Sequence, residues 1–314
     1  MSYAASPHWR TYQPFLPEQL RCDRQHQPVE ELWAWNDHQV HLDRHVDHDA
    51  PAKMIALHGA GGNGRLLASV GIAAHPSAET VAPDLPGYGH TRLPDDTSTY
   101  TYTDWIACVE ALVDAESARD DRPIILFGAS IGGMLAYDVA ARTPRVQGVI
   151  ATCLLEPRDP EVRRAVVRHP TLAHGIPLAL ALGPLLGRVR VPIRLLANVR
   201  AIANTPELAA ACLTDPLGGG NRVPLAFLTS WLRSQRPLPP EQFSTPVLLV
   251  HPGDDRWTPP ALSQPFLRRI AGETTYVELD NCGHFPVEEP GLTTMTQAIH
   301  NFLEQITGKR LPPT

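Results

Sequence analysis

Short apolar runs recur along the chain and alternate with longer stretches of helical periodicity. Residues 39–46 (QVHLDRHV) alternate like a half-buried strand, flanked by polar turns. The runs at 54–58, 80–83, 124–127, 148–152, 247–250 and 275–279 read as further strands, most of them apolar enough to be covered on both faces. Helical patterns occupy Arg65–Ala74, Tyr102–Ser117, Ile131–Arg142, Pro260–Ala271 and Glu288–Gln305. Strand–helix alternation of this kind predicts an α/β fold with a mostly parallel central sheet and helices on both faces. One long interval, between the strand near Thr152 and the one starting at Val247, is helical and turn-rich without strand signals. It is too long for a plain crossover and is expected to be a helical cap over the carboxyl edge of the sheet. The pattern therefore divides the chain into an N-terminal arm (1–38), a core (39–152 and 241–314) and an inserted cap (153–240).

The chemistry-bearing residues stand where strands end. Gly128-Ala129-Ser130-Ile131-Gly132 joins an apolar run to a helix and fits G-x-S-x-G, a turn that lifts a serine hydroxyl above the sheet edge. Gly59-Ala60-Gly61-Gly62-Asn63-Gly64 has two readings. It satisfies the dinucleotide pattern G-x-G-x-x-G, with Asp84 at the distance of a ribose-binding acid. It also fits a loop whose N–H groups face a developing oxyanion. Asp254 and Asp255 follow the run 247–250, and His284 follows the run 275–279. A serine needs a base to take its proton, and an imidazole needs a carboxylate to fix its tautomer. The order Ser130, Asp255, His284 supplies all three, each just after a strand.

Together HGAGG, DLPGYGHT, GASIGG, GDDRWTP and GHFPVEEP resemble the landmarks of the α/β-hydrolase superfamily over residues 39–307. The resemblance implies an α/β-hydrolase fold and a serine hydrolase with no cofactor and no metal. It makes Ser130 the nucleophile, His284 the general base and acid, and Asp255 the orienting acid, since Asp255 stands four residues before Pro259. Glu156 or Asp159 are the fallback acids. The oxyanion donors would be the backbone N–H groups of Ala60 and Ile131, and Asp84 becomes a structural loop residue. The superfamily hosts many reactions, so the activity rests on the insertion. Its Leu, Ala and Val content around 172–202 favours an ester with an apolar acyl group, as in a carboxylesterase or a lipase-like enzyme for monoacylglycerols or lysophospholipids. The alternatives are C–C bond or amide hydrolysis, or a receptor that keeps the triad without turnover.

Charge and composition narrow the rest. A net charge of −6 argues against a nucleic-acid partner and leaves a small molecule as the expected one. Residues 156–240 hold eleven arginines, no lysine and five acids, a local basic excess in an acidic chain. A basic cap could attract anionic substrates or rest on an anionic membrane surface, but these arginines are expected to be solvated or paired with acids of the core, and membrane contact is not otherwise indicated. Five scattered cysteines and a start without a signal-peptide pattern point to a reducing, cytoplasmic setting. His38, His41, His45 and His48 fit a polar hairpin better than a metal site, Trp33, Trp35 and Trp257 read as packing residues, and Trp231 fits either packing or a substrate wall.

Overall fold

The computed structural model describes residues 2–23, 26–94 and 99–309. Its strands are β1 (Val29–Trp35), β2 (His38–His45), β3 (Ala52–Leu57), β4 (Ala78–Pro83), β5 (Ile124–Gly128), β6 (Val146–Ala151), β7 (Arg190–Pro192), β8 (Arg222–Pro224), β9 (Val247–Pro252) and β10 (Thr274–Leu279). The helices are α1 (Ala68–Ala74), α2 (Tyr102–Ser117), α3 (Ile131–Ala140), α4 (Pro160–Val166), α5 (Ile176–Leu186), α6 (Ile193–Leu196), α7 (Pro206–Thr214), α8 (Leu225–Arg233), α9 (Gln264–Leu267) and α10 (Gly291–Thr307). Eight strands form one sheet in the order β1-β2-β4-β3-β5-β6-β9-β10. It is parallel from β4 to β10, and β2 pairs antiparallel with both β1 and β4.

Period-two alternation divides the core. Ile55, Leu57, Leu126 and Leu249 point to the face covered by α2 and α3, where Trp105 and Leu135 pack. Met54, Ala56, Phe127 and Leu248 point to the opposite face, against Val70 of α1 and Ile299 and Phe302 of α10. Strands covered on both faces have no solvent side to mark with polar residues, which is why they read as continuous apolar runs.

Three elements differ from the sequence expectation. Val29–Trp35, within the stretch expected as an arm, is the edge strand of the sheet. Val29 and Leu32 on it are half exposed and the run does not alternate cleanly, so period gives no signal there. The two-residue turn Asn36-Asp37, with Asn36 at φ 49°, closes the hairpin. Second, β7 and β8 pair antiparallel inside an interval expected to hold no strand. Each is a three-residue Arg-Val-Pro, too short to show alternation. Third, the helix expected over Pro260–Ala271 is broken into a 3-10 turn, Pro260–Leu262, and the single-turn α9.

Residues 3–20 lie across the molecule as three 3-10 segments. Tyr3 and Trp9 stack over the guanidinium of Arg65, 4.8 and 5.0 Å from their ring centroids. Arg65 is buried and paired with buried Asp43 and with Glu30. Tyr12 reaches α7, donating to Asp215 Oδ2 at 2.9 Å.

Candidate active site

The turn after β5 is held at both glycines. A Cβ at Gly128 would fall on the Gly132 carbonyl, and one at Gly132 on the Leu57 carbonyl, so strand and helix approach as closely as backbone allows. Between them Ser130 adopts φ 55°, ψ −124°, a left-handed φ that a residue with a side chain rarely takes. Its N–H donates to Thr152 Oγ1 at the end of β6, 3.0 Å away, which fixes the turn to the neighbouring strand.

His284 Nε2 lies 2.9 Å from Ser130 Oγ, and His284 Nδ1 lies 2.7 Å from Asp255 Oδ2. Asp255 is buried and also accepts from the N–H of Trp257 and of Thr258, both at 2.8 Å, and from Thr258 Oγ1 at 2.8 Å. Burial alone would drive the Asp255 proton on. The neighbouring imidazole and these donors more than offset it, and the carboxyl is held below its ordinary range. Burial likewise disfavours the His284 imidazolium, and the Asp255 carboxylate outweighs it, raising His284 above its usual value. The other candidate acids lie elsewhere. Asp254 is exposed, Asp159 caps α4 through the Glu161 N–H, and Glu156 lies 3.9 Å from Arg236.

The loop after β3 abuts the serine: a Cβ at Gly59 would sit 2.9 Å from Ser130 Cβ. Ala60 on this loop borders the same cavities as Ser130, and Ile131 borders the larger of them. Buried His58 sets the loop's shape. Its Nε2 accepts the Leu85 N–H at 3.0 Å, so Nδ1 carries the proton and donates to Gly59 O at 2.8 Å. This role is a long-range one that the sequence pattern does not mark. Asp84 is filled by its own chain, accepting from Tyr3 Oη at 3.0 Å and from the N–H groups of Gly64 and His90 at 2.7 Å. A ribose would have to displace all three, so the dinucleotide reading of this loop finds no acid to serve it.

Two cavities meet at Ser130. The larger, about 300 Å³, lies toward the elements inserted between β6 and β9 and is walled by Leu155, Ile176, Leu196, Trp231 and Leu232. The smaller, about 80 Å³, is walled by Tyr12, Ile202 and Phe285, with His284 at its edge. Trp257, expected as a packing residue, borders both, and its ring centroid is 4.8 Å from that of His284.

Among the described residues, two sets of three side chains bring ligand atoms within 4.8 Å of one another. Glu30, His41 and Asp43 are one set, and Arg65 pairs with both acids there. The other is Cys153, Asp255 and His284, where an ion would displace the proton shared by imidazole and carboxylate. Cys153 is a buried thiol behind the pair, its Sγ 3.6 Å from Thr258 Oγ1.

Known proteins are similar to this chain in sequence or in fold. A pimeloyl-[acyl-carrier protein] methyl ester esterase of Neisseria meningitidis is 26% identical over 259 residues, which are 76% of this chain and 88% of that protein. A monoacylglycerol lipase of Mycolicibacterium smegmatis is 26% identical over 161 residues, 50% of this chain and 53% of its own. A soluble variant of the Saccharomyces cerevisiae monoglyceride lipase, solved with a substrate analog, superposes with a TM-score of 0.72 at 16% identity, covering 89% of this chain and 96% of that one. The family model for the alpha/beta hydrolase family matches residues 54–294, more than half of the chain, and the chain belongs to that family.

Proposed function

We propose that the protein is a serine hydrolase that cleaves carboxylic esters with an apolar acyl group through an acyl-enzyme. The observation that carries this reading is the unbroken line Ser130–His284–Asp255 at the meeting point of a large apolar cavity and a small one. Ser130 Oγ attacks the ester carbonyl carbon while its proton passes to His284 Nε2. The imidazolium so formed faces the Asp255 carboxylate. The carbonyl oxygen, now negative, is met by the N–H groups of Ala60 and Ile131, at the positive end of α3. Collapse breaks the C–O bond, and the alcohol leaves with the proton from His284. Water then repeats the sequence on the acyl-enzyme, releasing the acid and restoring Ser130.

In this reading residues 153–240 act as a cap, with the acyl chain in the larger cavity and the alcohol in the smaller. The ester and lipase activities named for the relatives support the same class of substrate. A series of nitrophenyl esters tests it. Each methylene that becomes fully buried is worth up to about 0.8 kcal/mol, so kcat/KM should rise by at most about fourfold per carbon and level off where the cavity ends. A preference for acetyl over longer chains would overturn the acyl assignment.

A further inference from the structure

The surface of the inserted elements carries a feature that ester hydrolysis does not use. Of the ten large hydrophobic residues exposed among the described residues, seven lie between Leu172 and Leu195. Leu178, Leu182, Leu185, Leu186 and Val189 follow helical spacing along α5 and just past its end. Leu185 is 83% exposed. The other side of α5 is the one that packs. A Cβ at Gly183 would lie 3.0 Å from Thr229, and one at Gly187 3.3 Å from Ala226 Cβ, so the small residues face α8 and the leucines face outward. A concentrated apolar patch on a protein surface marks an interaction site.

Charge identifies the partner. From residue 162 to residue 206 the sequence holds seven arginines and no acid. Arg188, Arg194 and Arg200 are exposed, the first two next in sequence to Val189 and Leu195 of the patch. A second copy docked patch to patch would bring arginines against arginines, whereas an anionic lipid surface offers apolar depth and negative headgroups together. Among the described residues no helix is long and apolar enough to cross a bilayer, so the surface lies on the lipid without spanning it. The patch also joins the large cavity: Leu172 is both exposed and a cavity wall, with Ile176 and Ala179 next to it in the lining.

We propose that residues 172–200 dock the protein on an anionic lipid surface. Leu178, Leu182, Leu185 and Leu186 enter the headgroup–acyl boundary, Arg188, Arg194 and Arg200 meet lipid phosphates, and the rim of the large cavity opens at that boundary. An apolar substrate then passes from lipid to Ser130 without crossing water.

The test is cosedimentation of the full chain with vesicles of equal phosphatidylcholine and phosphatidylglycerol, and with phosphatidylcholine alone. Two triple variants accompany it, Leu178→Ser/Leu182→Ser/Leu185→Ser and Arg188→Gln/Arg194→Gln/Arg200→Gln. The unsubstituted protein and Ser130→Ala should pellet equally with anionic vesicles, which separates docking from catalysis. The serine variant should lose binding by roughly tenfold or more. The glutamine variant should lose the preference for phosphatidylglycerol, as should the unsubstituted protein at high salt. Both should hydrolyse a short soluble ester at the original rate, which reports that they fold. Failure of the unsubstituted protein to bind either vesicle overturns the proposal, as does equal binding by the variants. A dimer in sedimentation velocity that the serine variant dissociates overturns it in favour of a second copy as the occupant. If the serine variant fails to fold, the glutamine variant alone decides.

Discussion

Ser130 Oγ and His284 Nε2 lie 2.9 Å apart although 154 residues separate them in sequence, and the contact is set by the ends of two strands. Nucleophile and base joined in this way act as a unit. Ser130→Ala and His284→Ala should each lower kcat by roughly five to six orders of magnitude, and the double variant should be no worse than either. Additive losses in steady-state kinetics would contradict the pairing.

Asp255 acts on the same unit from behind. Asp255→Asn should lower kcat by about 10⁴, because the amide no longer selects the productive tautomer. Asp254→Asn, at an exposed position, should leave activity within about twofold. The pH profile carries a second reading. Catalysis needs neutral His284, so kcat/KM rises with pH through its pKa, which Asp255 holds up. Removing that negative charge lowers the pKa, and the acid limb of the Asp255→Asn profile should move to lower pH.

Tyr12 walls the small cavity and is tied to α7 through Asp215. Tyr12→Ala should enlarge the alcohol side alone. The ratio of kcat/KM for benzyl over methyl esters should increase by roughly tenfold, with acyl-chain preference unchanged. A shift in acyl preference without a shift in the alcohol ratio would reverse the assignment of the two cavities.

Arg65 and Asp43 form a buried pair beneath the N-terminal segment. Arg65→Met leaves Asp43 without its guanidinium partner and should cost about 3–5 kcal/mol in urea unfolding at neutral pH. The pH dependence has a definite sign. Burial already pushes the Asp43 carboxyl up, to about 6, against the opposing pull of Arg65. Without Arg65 it is pushed higher still. A raised acid binds its proton more tightly in the folded state, so the folded state is penalised as pH rises through that pKa. The variant's deficit should therefore shrink toward pH 5 and grow toward pH 8. A pH-independent deficit would assign the loss to packing of Tyr3 and Trp9 instead.

The parts of this architecture that could be read from sequence are those encoded locally. Buried parallel strands announce themselves as apolar runs, and Ser130, Asp255 and His284 each follow one within a few residues, marked by glycine or proline turns. The hidden parts depend on distant partners. Val29–Trp35 becomes a strand by pairing with β2 at an exposed edge, not by alternating. His58 matters through the N–H of Leu85, and Tyr12 through Asp215, 203 residues away. Trp257 looks like any packing indole until the fold sets it beside His284. No local period encodes contacts of that range.

The most direct measurement is on the covalent intermediate. The protein is mixed with nitrophenyl octanoate, quenched in acid during turnover, digested and examined by peptide mass spectrometry. A stoichiometric burst of nitrophenol and an octanoyl group on Ser130 are expected, both abolished in Ser130→Ala. Steady turnover with no acyl group on Ser130, or an acyl group on Cys153 instead, would contradict it.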